Sequence, residues 1–307
     1  MPTENLQQIR GIIARHKLWD QLFVIIGMLC LLVGLITLLA LTIRLVSDGV
    51  PRLSWQFFWA FPSRKPESAG ILSAWVGSSL VMLVTAIAAI PLGVAAGIYL
   101  EEYARKNWIA DLIEINVTNL AGVPSIIYGL LALGLFVYQI GLGESILTAG
   151  LTLALLILPI VIVTTRESLR AIPNSIREAA YALGASKWQM IWDHILPYAT
   201  GGILTGVIVG LARAIGETAP LITIGALTYI AFLPDPPMQN EFPYVSFAWL
   251  KAAFTVMPIQ MFNWVSRPQT EFQLNAAAAG IVLVFMTLAM NGVAIYLRYR
   301  FRQGIKW

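Results

Sequence analysis

Arg213 and Glu217 stand four residues apart inside an otherwise apolar stretch, and Thr218, Ala219 and Pro220 follow at once. On a helix that spacing puts both side chains on one face, within reach of each other. Counted from Ala199, the arginine lies about 14 residues into the stretch, roughly 21 Å along a helix axis. An arginine at that depth in hydrocarbon costs about 2.5–3.5 kcal/mol on insertion scales, so it faces a bundle interior or a watery passage. A guanidinium stays charged when desolvated and presents planar donors that grip a phosphate at two points. Glu217 would orient Arg213 and offset its charge while the passage is empty. It would also repel a bare anion, so further attraction has to come from another cation, and Arg166 is the nearest candidate. Two alternatives stay open: an Arg213–Glu217 pair that only locks two helices, and Arg166 as an anchor at the membrane surface. Ser125, Tyr128 and Thr218 are neutral hydrogen-bond candidates along the same passage, with ordinary helix packing as the alternative. His16 and His194 lack paired ligands and are assigned no metal, and the single cysteine, Cys30, excludes a disulfide framework.

The elements that must position these residues are membrane helices. Only 12% of the 307 residues are charged and 58% are hydrophobic, against about 25% charged in an ordinary soluble domain. A helical crossing takes roughly 20 mostly apolar residues. Suitable stretches lie at 21–43, 68–100, 115–143, 145–165 and 272–297, with a sixth from about Ala199 to Ile230, interrupted by Arg213 and Glu217. The expectation is therefore an all-α protein of six transmembrane helices: a cytoplasmic segment 1–20, a helical domain 21–297, and a basic tail 298–307. Gly93 and Gly97 give the second helix a close-packing pattern, and Pro91 suggests a kink.

Six crossings put both termini on one side. Thirteen of the 20 basic residues then fall in the cytoplasm: Arg10, Arg15, Lys17, Arg105, Lys106, Arg166, Arg170, Arg177, Lys187, Arg298, Arg300, Arg302 and Lys306. That bias predicts N-in, C-in. Residues 231–271 become an external excursion. Its aromatic part, Phe242–Ser266, suits a membrane interface, with a helix lying on or dipping into the bilayer. A seventh crossing there would turn the basic tail outward.

The loop 166–197 is long for a plain connection and reads as two short cytoplasmic helices. Ser175 and Glu178 have capping-box spacing, and Gly184 suits the end of that first helix. Ser186 and Gln189 form a second box, opening a helix that ends before Pro197. Trp188, Ile191, Trp192 and Ile195 give it an apolar stripe. From pattern alone, such a hairpin can also simply lie on the lipid surface. The chain has no G-x-x-x-x-G-K-[ST] phosphate loop.

Glu178, Ala179, Ala180, Gly184 and Ser186, with Leu196 and Pro197 closing the loop, resemble the EAA loop of binding-protein-dependent ABC permeases. The resemblance implies the ABC type I importer fold. It also implies that the loop docks on a separate ATPase, with Glu178 and Gly184 shaping the contact and Ala179 and Ala180 allowing close approach. The run 213–220, the segment 119–129 and the external segment Pro258–Trp264 are similar to the A-type permease subunits of phosphate-specific (Pst) importers. That implies a non-enzymatic transport subunit, multi-pass in a bacterial plasma (inner) membrane, working on inorganic phosphate. The implied partners are a dimer of ATP-binding subunits, a second permease of the C type, an external phosphate-binding protein and membrane lipid, and no nucleic acid. ATP and Mg would reside on the ATPase, with no cofactor in this chain. The same resemblance associates Arg213 and Arg166 with transport. Two rival readings are a permease for another oxyanion, such as sulfate or phosphonate, and a gradient-driven secondary transporter.

Overall fold

A computed structural model describes residues 2–302 except 106, 237, 239–243 and 245. Lys106, Lys306, the tail 303–307 and parts of the external excursion lie outside the described residues, as do the side chains of Arg10, Arg15 and Arg302. Secondary structure is essentially all helical. The main elements are α1 (Pro2–Gly49), α2 (Leu72–Tyr103), α3 (Trp108–Leu120), α4 (Ser125–Gln139), α5 (Ile146–Arg170) and α6 (Asn174–Ala182). They continue with α7 (Lys187–Ile215), α8 (Ala219–Thr223), α9 (Met257–Val265) and α10 (Glu271–Arg302).

Five of these helices are long and apolar enough to cross a bilayer, and α3 with α4 makes a sixth if the pair counts as one crossing. The straight span expected at 115–143 is instead α3 and α4 joined at a bend of 106°. Pro124 causes it. The proline ring pushes Val123 out of helical geometry, and the amides of Gly122 and Val123 fold back onto Asn119 and Leu120 as a turn. The span expected to run from Ala199 to Ile230 also departs from expectation, since its helix ends at Ile215.

Small residues set the core. In α2, Gly93 lies against Val161 and Leu158 of α5, and Gly97 lies against Thr165; Gly150 of α5 lies against Val84. On the other flank of α5, Gly202, Gly206 and Gly210 of α7 meet Ser168, Thr164 and Ile157 in turn. Without side chains at these points the backbones approach closely, which is how membrane helices gain packing when hydrophobicity supplies no net drive. α5 is thus gripped from two sides, and it starts cleanly because Ser145 caps it through the Thr148 amide.

At the end opposite the 166–197 loop, Arg52 ties the first connection together. It donates to Asn275 and to the carbonyls of Pro66, Glu67 and Ala69. The described part of Phe242–Ser266 is not a further crossing: α9 has nine residues, about 13 Å of helix. Its large aromatics divide: Trp249, Phe254 and Trp264 are buried, with Trp264 packed beside Phe57 and Phe272, while Tyr244, Phe247 and Phe262 are exposed. α1 stands apart from this core, its described residues up to Arg44 exposed and its last turns leaning on α10 through Leu45 and Gly49.

Candidate functional site

The hairpin of α6 and the first turns of α7 carries the EAA-like residues. Its first capping box does not form. Pro173 occupies the cap position and the helix starts at Asn174, so Ser175 already lies inside the first turn and cannot cap it. Gly184 has φ +81. With it, the Gly184 amide reaches the Tyr181 carbonyl and the Ala185 amide the Ala180 carbonyl, which is the Schellman ending that glycine permits. The second box is present: Ser186 Oγ accepts from the Gln189 amide, and Gln189 Oε1 accepts from the Ser186 amide at 2.9 Å.

The apolar stripe expected on this second helix divides. Ile191 and Ile195 are buried with Leu169, Ala180 and Ile203. Trp188 and Trp192 stack on each other at 5.4 Å and stay exposed. The helix does not stop before Pro197. A π-turn at Met190–Ile195 carries it straight into the membrane segment, because the wider turn accommodates a proline that cannot donate to the preceding turn. The hairpin is therefore the rigid foot of α7. Glu178, Ala179, Leu183, Gly184 and Ser186 are exposed on it, while Ala180 packs inward.

Arg213 lies in the last turn of α7. Its side chain is exposed on a face shared with Gly202, Thr205 and Val209, and has no hydrogen bond or ion pair among the described residues. A groove of about 660 Å³ runs along that face, lined by Thr164, Ser168, Gly202, Thr205 and Val209 among others. The expected Arg213–Glu217 pair is absent among the described residues. The helix ends at Ile215, Gly216 takes the terminal position, and half-buried Glu217 belongs to the break before α8. The i, i+4 argument fails because it presumes continuous helix.

Thr218 precedes α8 and Ser125 opens α4; both are half-buried, with hydroxyls that have no hydrogen bond among the described residues. Tyr128 is buried and donates its hydroxyl proton to the Leu120 carbonyl at 2.8 Å, bridging the α3–α4 bend. It also lies within electrostatic reach of Arg213. Gly129 next to it is seated on Pro220 and Thr223 of α8. The bend, α8 and the end of α7 thus form one neighbourhood.

Arg166 is not in it. The antiparallel contacts of α5 with α7, Thr164 on Gly206 and Ile157 on Gly210, put the level of Arg213 near residue 154 of α5. Arg166 is then about 18 Å away along the axis. It also points to the other side of α5, where its Nη2 lies 2.8 Å from Glu114 and its Nε 3.5 Å from Glu101. Arg170 joins the same two carboxylates at 3.0 and 3.9 Å. Beside them, Arg177 of the hairpin pairs with Glu102 at 2.7 Å and donates to the Leu169 and Ile172 carbonyls. The Arg166 side chain is only 10% exposed. Its partner Glu114 is 40% exposed, so solvent screens part of the attraction. Sequence reasoning missed the three glutamates, although Glu101, Glu102 and Glu114 flank the same boundary as Arg166, Arg170 and Arg177, which was the available signal.

The comparisons agree with this architecture. The profile of the family described as "Binding-protein-dependent transport system inner membrane component" matches residues 89–307. The chain is 34% identical over 279 residues to the phosphate transport system permease protein PstA of Yersinia pestis, covering 89% of this chain and 88% of that one. It is 31% identical over 292 residues to the PstA of Pasteurella multocida, covering 95% and 97%. Among solved structures, a chain of a bacterial alginate ABC transporter superposes with a TM-score of 0.65 at 13% identity, covering 92% of this chain and 96% of that one; this likeness speaks for the fold. The chain belongs to the family of binding-protein-dependent transport system inner membrane components, as a PstA-type, multi-pass inner-membrane permease subunit.

Proposed function

We propose that this chain is one permease half of an ATP-driven importer of inorganic phosphate, working with a C-type permease, two ATP-binding subunits and an external phosphate-binding protein. The observation that carries the reading is Arg213: a guanidinium in the last turn of an apolar membrane helix, exposed, and unpaired among the described residues. A cation on a membrane helix with no partner inside the chain calls for an external one, and a dianionic oxyanion fits its fork. A largely apolar groove of about 660 Å³ runs from Val209, one turn from Arg213, toward the hairpin, with Thr164, Ser168, Thr205 and the carboxylate of Glu167 on its lining. Glu217, Thr218, Ser125 and Tyr128 belong to the proposed passage at the level of Arg213. Arg166, already matched by two glutamates, lies off it.

The proposed topology is six crossings with both termini inside, the bent α3–α4 pair counting as one. Parity supports it. The ends of α2 and α5 share the ion-pair cluster, and the start of α5 meets Ala252 at the opposite end, so α3 and α4 have to carry the chain between the two ends. ATP-driven closure of the partner subunits would press on the exposed side of the hairpin at Glu178, Ala179, Leu183 and Gly184. Since the hairpin is continuous with α7, the push reaches Arg213 without a flexible joint.

The test is uptake by the complete complex in lipid vesicles. Arg213→Ala should assemble normally yet lower phosphate uptake roughly 100-fold or more, the scale set by losing one partner of a desolvated charge pair. Unimpaired uptake by that variant rejects the site. Sulfate uptake as fast as phosphate uptake rejects the cargo.

A further inference from the structure

We propose that Arg166 is a positioning residue: through Glu114 it conveys movement of the cytoplasmic hairpin to the α3–α4 bend, and so to the neighbourhood of Arg213. The inference rests on the ATP-driven reading above. It starts from α3, which has no buried residue along its whole length. Among the described residues, its only ion pairs to another helix are those of Glu114, with Arg166 at 2.8 Å and Arg170 at 3.9 Å. What holds α3 against α5 in a defined register is therefore this tether, beside a half-buried stripe of Ala110, Glu114 and Val117.

The tether is one link in a continuous series. Arg177 of α6 grips Glu102; the adjacent Glu101 pairs with Arg170 and Arg166; Arg166 holds Glu114. Six residues further, Leu120 ends α3 and accepts from Tyr128 across the bend, and Gly129 rests on α8 just after the break that follows Arg213. Each link is an ion pair, a hydrogen bond or a direct backbone seat, so displacement of α6 cannot leave α3 where it was unless a pair breaks. Among the described residues, Arg166, Arg170 and Arg177 pair with Glu101, Glu102 and Glu114, and Arg105, Asp111 and Glu167 lie beside them. An approaching anion would have to displace a carboxylate.

The experiment uses the assembled complex with Cys30→Ser and a reporter, Ala121→Cys, at the bend. The rate of maleimide labelling is measured with and without ATP plus vanadate, no phosphate cargo being needed. Trapping should change the rate by about threefold or more in the otherwise unaltered chain, the scale of a modest coupling energy. Glu114→Gln and Arg166→Gln should each abolish that change while the ATPase still co-purifies and hydrolyses ATP, and Arg166→Lys should restore most of it. Glu114→Gln, at the more exposed end of the pair, guards against simple misfolding of the arginine variant. A nucleotide response that persists in both Gln variants overturns the proposal, as does one lost only with Arg166 or one missing from the unaltered cluster. A normal labelling response in a complex that moves no phosphate would instead overturn the cargo reading alone.

Discussion

Gly206 of α7 sits directly on Thr164 of α5, with no room for a side chain between them. That contact fixes the register of the two helices, and so keeps Arg213 and Arg166 at different depths and on different sides of α5.

Gly206→Leu should therefore be poorly tolerated. Overpacking a close helix contact costs about 1–3 kcal/mol, read as a lower unfolding temperature of the purified complex. Gly201→Ala is the control. A Cβ there meets nothing within 4 Å, and trading a helical glycine for alanine gains about 0.5–1 kcal/mol.

At the tip of the hairpin, Gly184 has φ +81 and open space around it. Gly184→Ala should strain the turn by about 1–2 kcal/mol through the backbone alone. The expected result is less phosphate moved per ATP hydrolysed, with the variant still reaching the membrane. Unchanged coupling would show that the turn geometry is immaterial to docking.

Ser186 closes the capping box that starts α7. Ser186→Ala should weaken that start by about 1 kcal/mol. Hydrogen exchange should quicken at the amides of 187–190 and stay unchanged in the membrane part of the helix.

Glu217 lies in the break after Gly216 and does not pair with Arg213. Glu217→Gln should therefore leave thermal stability within about 0.5 kcal/mol, as for a substitution that removes no interaction. A large loss of stability would mean that the two charges are coupled in the assembled complex.

Much of this arrangement was legible in the residues. Apolar length located the membrane helices, and the pattern of Gly93 and Gly97 marked α2 as closely packed, though not against which helix. The spacing of Ser186 and Gln189 named the cap that is found, and Gly184 the turn. Local chemistry decides these features. Elsewhere the outcome depends on what precedes or faces a residue. Pro173 pre-empts Ser175 as a cap, and Pro124 folds a span that hydropathy draws as straight. Pro197 fails to stop a helix because a π-turn absorbs it. Gly216 ends α7 and parts Arg213 from Glu217. Arg166 stays open between anion ligand and membrane-surface anchor in the sequence, because nothing in a linear string says that Glu101 and Glu114 converge on it from two other helices.

The detachment of α1 sets a different kind of rule for it. Nearly every position from Leu18 to Ile43 faces away from the rest of this chain, so the order of those side chains places no demand on how the other helices pack. Shuffling these apolar residues among themselves should leave insertion intact.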